Sequence, residues 1–201
     1  MSKPVISSAV LLQLKAVIFD LDGTLVDSAL DFTAMCNDIG WPAGTPLLEQ
    51  LALTTCPTAR QRAHDIIQRH ELAGAAQASW MPGAKEAVQQ LHVSGMPLAI
   101  LTRNMRAATQ LTVERLQIPI TRVLTREDCA AKPDPAGLLL LASDMQVPVA
   151  QVLYVGDYLF DLQAAKNAGM QSCLYLNQHN QQFAAEADWL MTDFGQLHLR
   201  G

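Results

Sequence analysis

The chain has 201 residues, half of them hydrophobic and spread evenly, which is enough to close a full core and excludes a disordered polymer. A formal net charge of −5 provides no basic field for nucleic acid or an anionic membrane surface, so a small anion must be held by a few local cations. Cys36, Cys56, Cys129 and Cys173 stand apart, with no Cys-x-x-Cys pair and no His at zinc spacing, and Ala9–Leu12 is far too short for a signal-peptide core or a membrane span. The expectation is a cytoplasmic protein with reduced thiols and no membrane or nucleic-acid partner.

The first element is an apolar run over 15–20 that reads as a strand and ends in Asp20-Leu-Asp-Gly-Thr24. Residues at i and i+2 of an extended segment point to one side, so Asp20 and Asp22 can converge on one substrate, one as nucleophile and one handling protons. From 28 to 80 no strand pattern competes with helix. Asp27 or Ser28 can cap a helix running toward Asn37, Trp41–Pro46 supplies a turn, and Pro57-Thr58 opens a helix that continues through His70. Two or three helices are expected there.

After Met81-Pro-Gly83 helix and strand alternate. A helix runs to about 94, a strand over 97–102 reaches Thr102, a helix covers 105–117, and a short strand covers 122–125. Then Lys132 appears in Ala-Ala-Lys-Pro-Asp-Pro135, followed by a helix over 134–146. A strand over 152–156 runs into Gly156-Asp157, and Asp161 lies in the next helix, 160–168. Strands at 172–176 and Trp189–Met191 close the series. Such alternation predicts an α/β fold with a doubly wound parallel sheet, in which the C-terminal strand ends share one edge where ligands bind. Asp20, Asp22, Thr102, Lys132, Asp157 and Asp161 then meet at one site. Taken singly each has an ordinary reading: Asp157 as an N-cap, Asp161 as a first-turn acid, Lys132 as a surface lysine, Thr102 as a cap for the helix near Asn104.

In order and spacing these pieces resemble the haloacid dehalogenase-like hydrolase superfamily, most closely its phosphatases with a helical cap near the N-terminus, such as phosphoglycolate phosphatases. Asp20-Leu-Asp-Gly-Thr24 is similar to the first family motif, Thr102 to the second, Lys132 to the third and Gly156–Asp161 to the fourth. The resemblance implies a Rossmann-like core, 1–27 with 81–201, and a small inserted helical cap, 28–80. It also implies Mg2+, held by Asp20, Asp157 and the backbone carbonyl of Asp22, with Asp161 behind them holding Lys132 or a metal-bound water. The implied reaction is hydrolysis of a small phosphorylated metabolite through an aspartyl-phosphate on Asp20, with Asp22 as general acid and base. Lys132 and Thr102 would stabilise the transferring phosphoryl group. The protein is expected to be a monomer or homodimer.

Substrate choice is expected to rest on Arg103, which follows Thr102, and on Arg60 and Arg62 of the cap, each able to bind anionic substrate or to face solvent. Tyr158 and Phe160 are expected to line the entrance. Val26-Asp27 and Met81–Gly83 are candidate hinges for a mobile lid. A β-phosphoglucomutase-like isomerase would share every motif and differ in the cap. A dehalogenase would not need the metal-binding acids, and a receiver-type phosphoacceptor module would lack both Asp-x-Asp-Gly-Thr and an insertion at this place.

Overall fold

A computed structural model describes residues 3–198. Its elements are, in chain order, α1 (Ser8–Leu11), β1 (Ala16–Phe19), β2 (Val26–Asp27), α2 (Phe32–Ile39), α3 (Leu47–Leu53), α4 (Pro57–Gln77) and β3 (Ser79–Trp80). They continue as α5 (Ala84–Val93), β4 (Leu98–Leu101), α6 (Arg106–Leu116), β5 (Arg122–Leu124), α7 (Ala136–Asp144), β6 (Val152–Gly156), α8 (Leu159–Ala168), β7 (Gln171–Tyr175) and β8 (Trp189–Met191). Six strands pair in parallel in the order β5-β4-β1-β6-β7-β8.

The near-continuous apolar character of β1, β4 and β6 follows from cover on both faces of the sheet. Val17, Phe19, Leu98, Ile100, Leu153 and Val155 face α5, against Ala87, Val88 and Leu91. The alternate residues Ala16, Ile18, Ala99, Leu101, Val152 and Tyr154 face α7 and α8, against Leu138, Leu141, Ala164 and Ala165. The doubly wound parallel sheet expected from the sequence is the fold observed, with most elements trimmed by a residue or two.

The region between β1 and α5 departs further from expectation. Val26 and Asp27 form a two-stranded antiparallel ribbon with Trp80 and Ser79. Asp27 is therefore not the cap of α2, and Ser28 turns its hydroxyl to Asp22 instead. The cap is Asp31, whose carboxylate accepts the Ala34 N–H at 2.9 Å. Of the helices above the ribbon, α4 runs to Gln77, well past His70. Its C-terminal half rests on the core: Ala75 packs with Met105 and Ala108, and Arg115 Nε donates to the Ala75 carbonyl at 3.3 Å. Arg126 meets Glu71 through both nitrogens, at 2.6 and 2.8 Å. These contacts tie the C-terminal half of α4 to the core. The outermost residues of the expected core segments, 1–2 and 199–201, lie outside the described residues.

Candidate active site

Each site residue leaves the sheet at its C-terminal edge. Asp20 follows β1, and its N–H still donates to the Val155 carbonyl at 2.8 Å, so the pairing with β6 fixes its backbone. Thr102 follows β4, held by its N–H on the Leu124 carbonyl at 3.0 Å. Asp157 follows β6, Lys132 lies between β5 and α7, and Asp161 sits in the first turn of α8. Glycines give these acids their room. A Cβ on Gly156 would stand 2.3 Å from Asp161 Cγ, and one on Gly23, whose φ of +84° already suits glycine, would stand 2.6 Å from Asp157 Oδ2.

Lys132 organises the charges. Its Nζ donates to Asp20 Oδ1 and to Asp161 Oδ1, both at 2.6 Å, and its side chain is only 4% exposed. Burial opposes its charge, but Asp161 and Asp20 outweigh burial and hold the ammonium above its usual range. Burial lifts Asp20 well above the usual carboxylate range; Lys132 pulls it down, while Asp161 and Asp157 push it further up. Asp157 is raised to about 7, by burial first and then by Asp161. One carboxylate oxygen of each of Asp20, Asp157 and Asp161 falls within 4.8 Å of the others. Three carboxylates converging beside a single ammonium are a donor set that could hold a hard, oxygen-seeking cation.

The three acids are not equivalent. Asp161 Oδ1 also lies 3.1 Å from the Tyr154 hydroxyl, and Oδ2 accepts the Tyr158 N–H at 2.9 Å, so Asp161 is a fixed counter-ion with both oxygens occupied. Asp157 Oδ1 accepts from Thr24 Oγ1 at 3.1 Å. Asp20 Oδ2 has no hydrogen-bond partner among the described residues. Asp22 stands apart in the turn, its carboxylate gripped by Ser28 Oγ at 2.5 Å and Asn104 Nδ2 at 2.9 Å. The chain leaves extended geometry at Leu21, which is why the two acids of the motif have separate surroundings. Thr102 Oγ1 accepts the Asn104 N–H at 3.0 Å, which leaves its own proton for another acceptor; it does not cap α6, whose N-cap is Met105.

These positions all lie within residues 17–175, which match the family model described as haloacid dehalogenase-like hydrolase. The chain belongs to this family. Among its relatives, a haloacid dehalogenase-like hydrolase domain-containing protein of Arabidopsis thaliana is 30% identical over 174 residues, covering 81% of this chain and 71% of the other. A phosphoglycolate phosphatase of Pseudomonas fluorescens is 30% identical over 209 residues, covering 89% and 76% respectively. A crystal structure of a haloacid dehalogenase-like hydrolase from Bacteroides fragilis shares the fold, with a TM-score of 0.78 at 20% identity, over 92% of this chain and all of that one.

In this hydrolase the three arginines are placed differently from one another. Arg103 is at the rim, but neither free nor solvent-facing: it donates to the Lys132 carbonyl and to Glu49 and stacks on Phe160. Arg62 lines a separate groove along α4 with Asp38, Asp65 and Arg69, and Arg60 is exposed on the same helix. Neither makes a hydrogen bond or ion pair to a site residue among the described residues, so the structure does not bring them to the acids. Tyr158 is half exposed and packs edge-on against Phe160 and Phe183.

Several supporting residues escape sequence reading. Ser28, Asn104 and Thr24 hold the acids, and Asn180 Nδ2 donates to the Asp157 carbonyl at 2.8 Å. Tyr154 does carry a signal, a lone hydroxyl within the apolar strand β6, and that hydroxyl sits against Asp161 and the Leu101 carbonyl. Asn180 lies in a polar stretch with nothing to distinguish it from its neighbours.

Proposed function

We propose that the protein is a Mg2+-dependent phosphatase that hydrolyses a small phosphate monoester through an aspartyl-phosphate on Asp20. The observation that carries this reading is the division of labour on Asp20, within the cluster it forms with Asp157 and Asp161: Oδ1 is pinned by Lys132, and Oδ2 has no hydrogen-bond partner among the described residues. A carboxylate with one oxygen fixed and the other available is oriented for in-line attack on phosphorus.

Asp20 Oδ2 bonds to phosphorus as the alkoxide leaves. Asp22, steadied by Ser28 and Asn104, gives that alkoxide its proton. Water then attacks the phosphorus of the acyl-phosphate, Asp22 takes up a proton from it, and Asp20 is released as carboxylate. Lys132 stays on Asp20 throughout and offsets its charge, and Thr102 offers its free hydroxyl proton to a phosphate oxygen. Asp20, Asp157 and the Asp22 carbonyl would hold Mg2+, which supplies the positive charge that lets an anionic nucleophile meet an anionic ester. The acid cluster argues against carbon–halogen chemistry, which has no use for a metal-binding set.

The test is a screen of phosphorylated metabolites with Mg2+ and with EDTA. Phosphate release that needs Mg2+ and disappears in Asp20→Asn is expected. A folded protein that releases phosphate from no ester would refute the reading, and conversion of a hexose phosphate to its isomer without release would mark a mutase instead.

A further inference from the structure

The guanidinium of Arg103 has three partners from three separate parts of the chain. Nη1 donates to the Lys132 carbonyl at 2.7 Å, Nη2 donates to Glu49 Oε1 of α3 at 2.6 Å, and the plane lies 4.6 Å from the ring centre of Phe160 in α8. Two of its neighbours, Thr102 in sequence and Lys132 through the carbonyl, belong to the site, so Arg103 stands on the site's rim with its charge already matched. Lys132 is likewise matched by Asp20 and Asp161, and Arg126, whose Nη1 also donates to the Arg103 carbonyl, by Glu71.

A phosphoryl group has the metal ligands and Lys132 to receive it. A second negative charge on the leaving group, placed beside Arg103, would meet Glu49 on a guanidinium already paired. The Glu49 side chain is 45% exposed, so its pair with Arg103 contributes little to stability and is poorly suited to be a brace. Charges at such a rim instead decide which ligands are repelled. We infer that Glu49 is a specificity residue: by occupying Arg103 it selects esters of neutral alcohols over esters whose leaving group carries a carboxylate or a second phosphate. This rests on the phosphatase reading above. Phosphoglycolate, the ester in the name of the Pseudomonas relative, belongs to the disfavoured class.

Glycerol 3-phosphate and 3-phosphoglycerate form a suitable pair of probes, equal in carbon count and differing in a hydroxymethyl against a carboxylate. Their KM values, or their Ki values against an aryl phosphate, are measured for the wild type, Glu49→Gln, Glu49→Ala, and Glu49→Gln combined with Arg103→Met. The wild type should bind the glycerol ester more tightly. Freeing Arg103 in either single variant should shift the ratio about tenfold toward 3-phosphoglycerate, an effect that added salt weakens. The double variant should lose that gain, since it has no cation to free. A ratio unmoved by Glu49→Gln, or a wild type that prefers the carboxylated ester, overturns the inference. Loss of binding to both esters alike would mean that Glu49 merely holds α3 in place, and also overturns it. A wild type that turns over no ester, the aryl phosphate included, removes the phosphatase reading and the inference with it, whereas turnover with an unmoved ratio removes the inference alone.

Discussion

Replacing Lys132 by Met exposes what the central ammonium contributes. The side chain is 4% exposed and its Nζ lies 2.6 Å from both Asp20 and Asp161, so Met fills the space but leaves three clustered acids with no cation. Removing one partner of a buried pair costs about 3–5 kcal/mol. The acids recover part of this by taking up protons, which burial already favours for Asp20 and Asp157. Near neutral pH a net loss of about 3 kcal/mol lowers the melting temperature by roughly 6–12 °C for a chain of this size. Without Lys132 the acids protonate at higher pH than before, so the deficit should shrink as pH falls and the carboxylates become neutral, and should be largest on the alkaline side. Turnover should drop by about a thousandfold or more, because Asp20 is then unpinned and more readily protonated. Thermal melts of both proteins across pH in EDTA, with parallel rates in Mg2+, make the comparison. A variant that melts with the wild type at neutral pH, or whose deficit ignores pH, would refute the reasoning.

Other substitutions and conditions separate competing effects. Gly74→Ala should stabilise a helix interior by about 1 kcal/mol on propensity alone, yet a Cβ there would lie 2.8 Å from both the Ser28 carbonyl and Leu30 Cδ2. We expect the clash to win, with a lower melting temperature and a lower kcat as Ser28 is pushed off Asp22; a more stable and fully active variant would contradict this. Asp157 binds its proton more tightly when folded, at about 7 against an ordinary 3.8, so its contribution to apo stability falls as pH rises through that window and levels off above it. Melts in EDTA should show this decline, Asp157→Asn should flatten it, and Mg2+, which needs the carboxylate, should offset it. An unchanged slope in Asp157→Asn would remove Asp157 as its source.

The core was legible from sequence because its physics is local: a buried parallel strand must be apolar on both faces, and β1, β4 and β6 are. Asp20, Asp22 and Asp157 stand out in the sequence because each comes shortly after such a strand, whereas Asp161 lies within α8. The region from 28 to 80 was less legible. The cap of α2 moved from Asp27 or Ser28 to Asp31 because pairing of Val26-Asp27 with Ser79-Trp80 and the bond from Ser28 to Asp22 claim those residues, and both partners are set by tertiary structure. Arg103 was placed near the phosphate pocket, but its partner Glu49 is 54 residues away in a short helix with no signature. For Arg60 and Arg62 both readings stay open in the sequence, since a charge on a helix does not say which side of that helix meets the site.

The central claim is that Asp20 carries the phosphoryl group, and trapping that intermediate tests it most directly. Enzyme mixed with a turnover-competent ester and Mg2+ is quenched in acid within a single turnover, digested, and its peptides are mapped by mass spectrometry. The account predicts one phosphoryl group on the peptide holding Asp20, absent in EDTA and in Asp20→Asn. A phosphoryl group on any other residue, or none at any time point while phosphate is being released, would contradict it.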